Sequence, residues 1–540
     1  MSYTIKHFLK SDYILFFLIF AVLVWAFFVL PPLSLYSNDE GAKYVQMKNF
    51  YLNKSLAIKY PGEKLGLDLS YLLKEQSLFA QREGRLFCTY PPLFTYLSSL
   101  FYPLFGDRVT HFLPLLAFFL SLLVLSRILK LLIKKTFLYY FLLLTFLLGS
   151  PIFLYSFTFW EHLPAVFGVV CSLYFLVRYF CVKASKLNIF LSAFVLSLAS
   201  FFRTEIIFLI IAYTISFGLI LYIHRKLRDI AALITGAAAP LIVYAIFNFI
   251  NYQDILGLHI LYNSPNFRLS IDKIIISLGV FFVCTALVFI SKRDKLDPAL
   301  KQEIFSFIPV LWLGFEFAVF WRSPIPNLFL AFPAVLLVFF GISNRIEMLK
   351  HKDWDFGNLI FGTVVLFVWL VSYFLFNNPD LAARYCLPII PLIIIFIASE
   401  QKRIFIAKSI FGVLLVFFLF SLSYGLHKFK NNIWKYKWYN TERIEFLKKY
   451  THRGDVVIFQ NNRFMEHAGP LFFERIYSVS EEPDELAKIF NLLKSKGITH
   501  CYYWTFNPDY FSQKGNYKTM RYDFEKKGFP YLYLFKVHIE

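Results

Sequence analysis

An acidic pair follows the first apolar stretch of the sequence. The tetrad Asn38-Asp39-Glu40-Gly41 comes shortly after an apolar helix that is predicted to stop at Pro31-Pro32. An ionisable side chain in or near lipid costs about 2.5–3.5 kcal/mol on insertion scales, so it tends to survive where it faces a wet cavity. A carboxylate in such a cavity can take the proton of an attacking hydroxyl group. We therefore predict that Asp39 and Glu40 are catalytic residues at the mouth of a membrane span.

A second acidic position opens a later apolar run, in Trp160-Glu161-His162. Glu161 has two interpretations: a carboxylate that faces the same cavity as Asp39, or a solvated residue favoured by the dipole of a helix N-terminus. His162 is either a substrate contact or a wet neighbour at the membrane interface.

Arginine residues at three further junctions are candidates for anion binding. Arg203, in Arg203-Thr204-Glu205, is either part of a self-neutralising polar cap or an anion contact at the cavity roof. Arg268 could contact a substrate or only solvent. Arg384 begins the motif Arg-Tyr-x-x-Pro. An arginine fork binds phosphate oxygens bidentately, although an arginine at this depth can also extend to lipid headgroups.

The composition indicates what must position these residues. Hydrophobic residues make up 58% of the chain, 68 residues are Phe, and the mean hydropathy is +0.57, which excludes a water-soluble fold. Apolar runs long enough to span a bilayer recur from Tyr13 to about Tyr424, and we predict about 13 transmembrane helices. We expect a transmembrane domain at residues 1–425, with a first outer loop at 33–108, and a second domain at 426–540.

The distribution of Lys and Arg predicts the orientation. Alternate junctions are basic and the junctions between them carry one arginine each or none. The positive-inside rule then places the N-terminus in the cytoplasm, and the acidic pair and C-terminal domain outside, in a multi-pass protein of the plasma (inner) membrane. This topology accounts for the formal net charge of +20 better than nucleic-acid binding does. The first 30 residues are interpreted as an uncleaved span, because no small-residue cleavage site follows them.

The six cysteines are scattered, so neither a disulfide framework nor a cysteine zinc site is expected. No cofactor is predicted with certainty. A divalent metal shared by Asp39, Glu40 and Glu161 is left open.

The loop and the C-terminal domain have elements of their own. In the loop we predict a surface helix over Leu67–Gln81, and a juxtamembrane helix over Leu93–Phe105 that opens at a proline pair. The domain is predicted to be a small extracytoplasmic α/β unit, whose segments are the strands Asp455–Phe459, Arg475–Val479, Thr499–Trp504 and Tyr531–Phe535 and a helix over Glu481–Lys496.

These motifs occur in an order that resembles the membrane-embedded glycosyltransferases of the GT-C fold, especially the protein O-mannosyltransferase and lipid A aminoarabinose transferase branches (glycosyltransferase family 39-like). The shared features are an Asp-Glu pair after the first span, a Pro-Pro-Leu juxtamembrane helix, a carboxylate in the second outer loop and a late Arg-Tyr-x-x-Pro segment. One departure is Tyr90, which stands where the aminoarabinose branch has a lysine immediately before Pro-Pro.

The resemblance implies transfer of a sugar from a polyprenyl-phosphate donor to a lipid, glycan or protein acceptor on the outer face, with membrane lipids as further partners. It implies that Asp39 is the general base of a single, inverting displacement and that Arg384 binds the departing phosphate. Five further residues are expected to bind substrate: Tyr385, His162, Tyr90, Arg203 and Arg268.

A different class of function is also open. A transporter or flippase of lipid-linked saccharide would need ionisable residues throughout the mid-membrane segments. Nearly all the charge here lies at span ends, which favours an interfacial enzyme. A sensor with an outer ligand-binding domain is a third interpretation, but no cytoplasmic effector segment is evident.

Overall fold

The computed structural model describes residues 3–33, 35–67, 78–259, 332, 356–374, 381–399, 408–460, 468–480, 482–511, 518–526, 529 and 531–539. Within these ranges fifteen α-helices occur. Their bounds are α1 Tyr3–Val29, α2 Asn38–Asn53, α3 Pro92–Phe105, α4 Val109–Leu132, α5 Thr136–Leu147, α6 Ile152–Tyr155, α7 His162–Cys181, α8 Lys186–Leu198, α9 Ile206–Ile223, α10 Leu227–Tyr252, α11 Phe356–Phe374, α12 Ile390–Ser399, α13 Lys408–Lys428, α14 Lys435–Tyr450 and α15 Pro483–Ser495.

The apolar helices form the membrane part of the molecule. Among the described residues, five segments are long and apolar enough to cross a bilayer: Asp12–Val29, Pro92–Leu132, His162–Cys181, Ile206–Ile223 and Leu227–Tyr252. The chain is therefore a multi-pass membrane protein, and the total of about 13 spans stays a prediction. The two shortest predicted spans are separate helices, α8 and α9, as expected.

The juxtamembrane helix is α3, which begins at the proline pair and ends at Phe105, just before Gly106. Proline is tolerated in the first turn because its missing N–H would have no partner within the helix. A 3-10 segment, Gly106–Arg108, connects α3 to α4. The Arg108 guanidinium donates to the carbonyl oxygens of Phe27, Phe28 and Leu30, which fixes the end of α1 against this corner.

The predicted surface helix over Leu67–Gln81 is wrong at its C-terminal end. Residues Phe79–Arg82 form strand β1, which pairs antiparallel with β2, Arg85–Cys88. The connection is Glu83-Gly84, and both residues have positive φ angles, 50° and 72°. A two-residue turn of this kind matches the twist of a hairpin, so the turn chemistry decides the local structure. Residues 68–77 of the predicted helix lie outside the described residues.

The C-terminal domain is a five-stranded mixed sheet with the order β4-β3-β5-β7-β6. Its strands are β3 Val456–Phe459, β4 Ile476–Val479, β5 His500–Thr505, β6 Thr519–Phe524 and β7 Leu532–His538. Strands β3, β4 and β5 are parallel, and β7 pairs antiparallel with β5 and β6. The four predicted strands and the helix α15 all occur close to their predicted ends. The edge strand β6 was not predicted, because its mostly exposed residues lack an apolar alternation.

The segment predicted to be the first outer loop, residues 33–108, packs on this domain. Ala42 and Val45 of α2, Ile58, and the end of β2 belong to the same apolar core as β3, β5 and β7. Helix α13 leads into α14 through a π-helical segment, Phe429–Trp434, which brings the chain from the membrane helices to the sheet. The loop and the C-terminal domain thus share one core, although they are far apart in sequence.

Candidate active site

Helix α2 presents the acidic pair in its first turn. Asp39 is partly exposed, whereas Glu40 is fully buried. Lys43 lies four residues after Asp39, and residues at this spacing occupy the same face of a helix. The buried Cys88 thiol lies within electrostatic range of Asp39, Lys43 and Glu161. Burial is the main reason that the pKa of Cys88 rises to about 12. Asp39 therefore shares a face of α2 with Lys43, which contacts Glu161.

Lys43 joins this face to the start of α7. Its ammonium nitrogen lies 2.5 Å from Oε2 of Glu161. The same nitrogen is 4.1 Å from the centre of the Tyr90 ring and 5.8 Å from that of Trp160. A cation over an aromatic face is attracted by the ring quadrupole. Tyr90 therefore contacts a buried cation that is supplied by α2.

Glu161 binds a second cation through its other oxygen. Nη1 of Arg203 lies 2.7 Å from Oε1 of Glu161. Burial opposes ionisation of this carboxyl group, but Lys43 and Arg203 together outweigh it and hold the pKa of Glu161 below its usual value. Glu161 is not a solvated residue at a helix N-terminus, which was one of its two interpretations, because only 1% of the residue is exposed.

Arg203 also pairs with Glu205, through its other terminal nitrogen. Nε2 of His259 lies 3.9 Å from the same Glu205 oxygen. Burial would raise the pKa of Glu205, and the Arg203 cation reverses that effect and lowers it. We call the chain of contacts Lys43–Glu161–Arg203–Glu205 the ion network. The self-neutralising cap proposed for Arg203 and Glu205 is present, and it is continuous with Glu161.

A cleft borders the ion network. It is narrow, with a volume of about 10 Å³, which is room for about one water molecule, and we call it the polar cleft. Its lining comprises His162, Ala165, Arg203, Glu205, Ile206, Tyr385, Leu387 and Pro388. The late Arg-Tyr-x-x-Pro segment thus meets the starts of α7 and α9.

The late segment is a 3-10 helix, Leu381–Ile389. The Arg203 guanidinium carbon is 5.6 Å from the centre of the Tyr385 ring, which places Tyr385 over the ion network. Arg384 precedes Tyr385 in this segment, and its side chain is outside the described part of the structure. Arg268 also lies outside the described residues.

Glu40 has a set of contacts that is separate from the ion network. Its Oε2 accepts a hydrogen bond from Tyr36 N–H at 2.7 Å, and Oε1 accepts one from Phe159 N–H at 3.0 Å. The ammonium of Lys437, from α14, lies 3.7 Å from Oε2. Burial raises the pKa of Glu40 and lowers that of Lys437, although each ion stabilises the charge on the other.

An apolar pocket lies among α2, α3 and α10. Its volume is about 420 Å³, and it is lined by Phe50, Leu56, Pro92, Leu93, Tyr96, Phe201, Tyr244, Phe247 and Asn251. Two of these residues, Pro92 and Phe201, are each two positions from a residue of the site, Tyr90 and Arg203. We call this space the apolar pocket.

Sequence reasoning missed two buried lysines, Lys43 and Lys437. A lysine one turn after Asp39 was a readable signal, because an i, i+4 pair shares a helix face. Lys437 had no such signal, since its partner lies in another domain.

A shared divalent metal does not suit the acidic residues. Glu40 and Glu161 direct their oxygens to N–H groups and cations. In the ranges that the structure describes, no three His, Cys, Asp or Glu side chains come together as a metal-binding group.

Comparison with known proteins identifies the fold. No model of a known protein family matches the chain, and no curated sequence matches it. Solved structures do match. The Archaeoglobus fulgidus oligosaccharyltransferase, solved in complex with Zn and sulfate, covers 94% of this chain and 70% of its own, with 10% sequence identity and a TM-score of 0.50.

ArnT from Cupriavidus metallidurans, solved bound to undecaprenyl phosphate, covers 97% of this chain and 98% of its own, with 12% identity and a TM-score of 0.48. With a TM-score below 0.5, ArnT does not support the fold assignment, which rests on the oligosaccharyltransferase. The prediction of a GT-C fold is confirmed. At this identity the similarity establishes the fold alone.

Proposed function

We propose that the protein is a glycosyltransferase that moves a sugar from a polyprenyl-phosphate donor to an acceptor on the outer face of the membrane, with inversion. One observation carries the proposal. The ion network and the polar cleft join residues from junctions that are far apart in sequence, namely Lys43, Glu161, Arg203 and Tyr385. Asp39 shares a face of α2 with Lys43, and Tyr385, the residue after Arg384, lines the polar cleft.

The chemistry follows from the partly exposed carboxylate. Asp39 accepts the proton of the acceptor hydroxyl group as its oxygen attacks the anomeric carbon. The bond between that carbon and the phosphate oxygen breaks, and the phosphate leaves with the electron pair. One displacement inverts the anomeric centre. Glu161 is already paired with two cations, which suits it to fixing those cations rather than to removing a proton.

The departing phosphate needs a fixed cation close by. We assign this role to Arg384, whose neighbour Tyr385 lines the polar cleft. Arg203 and His162 line the same cleft and are proposed to contact the donor, together with Tyr90 and with Arg268. A planar arginine fork matches phosphate oxygens better than a lysine point charge does.

The apolar pocket suits the lipid part of the donor. Its lining is almost entirely hydrocarbon and aromatic. We propose that an isoprenoid chain in this pocket leaves its phosphate near Arg203, which follows the lining residue Phe201 by two positions. We further propose that the site faces outward, with the N-terminus in the cytoplasm, as the distribution of Lys and Arg predicts.

The test is Asp39→Asn, measured as release of polyprenyl phosphate from a set of polyprenyl-phosphate-linked hexoses and pentoses in the presence of an envelope extract. The amide keeps the shape and loses the basicity, so turnover should fall by about 10²–10⁴-fold. Glu63→Gln is the matched control, because Glu63 is an exposed carboxylate of the same loop. Near-normal turnover in Asp39→Asn would reject the assignment. Movement of intact lipid-linked sugar between leaflets without phosphate release would favour a flippase.

A further inference from the structure

Glu40 occupies a position that is unusual for a charged residue. Its exposed fraction is 0%, and each of its oxygens accepts a backbone N–H, one from Tyr36 before α2 and one from Phe159 before α7. The carboxylate therefore connects the two chain segments on which Asp39 and Glu161 sit. Both oxygens are engaged inside the protein, whereas the adjacent Asp39 is partly exposed.

The remaining contact of Glu40 comes from the C-terminal part of the chain. Lys437 of α14 is also 0% exposed, and its ammonium lies 3.7 Å from Oε2 of Glu40. Removing two charges from water is costly, and their mutual attraction often does no more than offset that cost. Such a pair contributes little net stability to the fold. Its clearest effect is to fix the position of one segment against another, here of α2 against α14.

Three more contacts hold α2 and the residues just before it against the C-terminal part of the chain. The Asn440 side chain donates to the carbonyl oxygen of Leu35 at 2.8 Å. The Lys48 ammonium donates to the carbonyl oxygen of Pro470 at 3.1 Å. Gly469 packs so closely on α2 that a Cβ atom there would lie 2.8 Å from the carbonyl oxygen of Gly41. The C-terminal part of the chain thus contacts Leu35 before the acidic tetrad, Gly41 within it and Lys48 after it.

We propose that Glu40 is a positioning residue, through which the C-terminal domain holds Asp39 in its productive place. Lys437 contacts Glu40, and Gly469 packs against Gly41, so both sides of Asp39 are held. This inference rests on the proposed role of Asp39 as general base. The C-terminal domain then contributes to catalysis through the position of Asp39. A displacement of the base by about 1 Å can reduce a rate by about 10²-fold.

The test is a double-mutant cycle of Glu40→Gln and Lys437→Gln, measured as kcat and as KM for the donor. Each single variant should lose about 10–100-fold in kcat with KM nearly unchanged. The double variant should be no slower than the slower single variant, because both changes break one connection. Lys437→Arg should recover much of the rate, since it keeps the charge.

The pH profile separates positioning from proton removal. In Glu40→Gln the rate should fall at every pH while the acidic limb of kcat/KM keeps its midpoint, because Asp39 is still the base. In Asp39→Asn that limb should disappear. Loss of the limb in Glu40→Gln would overturn the inference, because Glu40 would then be the base.

Gly469→Ala tests the positioning role even if the charge variants fail to fold. It keeps every ionisable group and pushes the C-terminal domain away from Gly41. Gly425→Ala is its matched control, since a Cβ atom at Gly425 meets nothing within 4 Å. We expect Gly469→Ala to lower kcat with an unchanged acidic limb, and Gly425→Ala to match the unmodified protein. Normal kcat in Gly469→Ala beside an inactive Asp39→Asn would overturn the positioning role alone, whereas an active Asp39→Asn would overturn the proposed function.

Discussion

The ammonium nitrogen of Lys43 lies 2.5 Å from Oε2 of Glu161, and both side chains are almost completely buried. This pair joins the first outer loop to the start of α7. The opposite oxygen of Glu161 binds Arg203, which also pairs with Glu205, so two carboxylates balance two cations. The geometry of the site therefore depends on a charge balance that a single substitution can disturb.

Replacing Lys43 by methionine should destabilise the protein. Breaking a buried ion pair by removing one partner costs about 3–5 kcal/mol. The measurement is the apparent thermal midpoint in detergent, compared with Lys64→Met, which removes an exposed lysine of the same loop. The double variant Lys43→Met with Glu161→Gln should lose less than the sum of the two single losses. Additive losses would show that the pair does not couple.

Acid should destabilise the protein through Glu161. The pKa of Glu161 is lowered in the folded state. Its contribution to folding stability is therefore fully present above the unfolded-state pKa of about 4.3 and is lost as the pH falls through the folded-state pKa. The thermal midpoint should therefore stay level from neutral pH to about pH 5 and decline below about pH 4.3. Glu161→Gln should decline less steeply over the same range. Identical acid profiles for the two proteins would contradict this role.

Lysine should not replace Arg203. The guanidinium uses separate nitrogens for Glu161 and Glu205, and an ammonium on a flexible stem cannot reproduce that planar arrangement. We expect Arg203→Lys to lower both the thermal midpoint and the turnover. Arg228→Lys, at an exposed site, is the control and should change neither. Full turnover in Arg203→Lys would mean that charge alone is sufficient at this position.

Filling the apolar pocket should weaken binding of the lipid donor. Leu93→Trp adds a bulky ring to the lining, and we expect KM for the donor to rise on the order of tenfold, about 1.4 kcal/mol, with little change in kcat. Leu100→Trp is the control, because Leu100 is an exposed residue of the same helix. An unchanged KM in Leu93→Trp would place the lipid elsewhere.

Labelling with a membrane-impermeant thiol reagent should reveal which face carries the site. In a background with Cys181→Ser, which removes an exposed native thiol, Lys64→Cys and Lys496→Cys should react in intact cells. Lys134→Cys, from a basic junction, should react only after permeabilisation. Labelling of Lys134→Cys in intact cells, with protection of the other two, would invert the proposed orientation.

The order of elements was predictable because it depends on local patterns. The proline pair marks the start of α3, and alternating apolar residues mark the strands of the C-terminal domain. The hairpin of β1 and β2 was missed, because its two-residue turn at Glu83-Gly84 outweighs the weak helical pattern around it. Strand β6 was missed because an edge strand with exposed side chains has little periodicity.

Part of the site was also predictable, for a different reason. Glu161 and Arg203 are charges at the ends of apolar runs, where burial demands an explanation. Their direct contact could not be predicted, because it depends on how α7 and α9 pack. Lys437 shows the limit most clearly: it is one of several lysines in a polar stretch, and only tertiary packing selects it as the partner of Glu40.

The contacts between α2 and the C-terminal domain also bear on biosynthesis. The hydrogen bonds from Lys48 to Pro470 and from Asn440 to Leu35 span sequence separations of 422 and 405 residues. The ribosome therefore completes nearly the whole chain before α2 can meet its partners, and such distant contacts form slowly. A nascent chain could insert its membrane helices early, but the surroundings of its acidic tetrad would be complete only after the C-terminal sheet has folded.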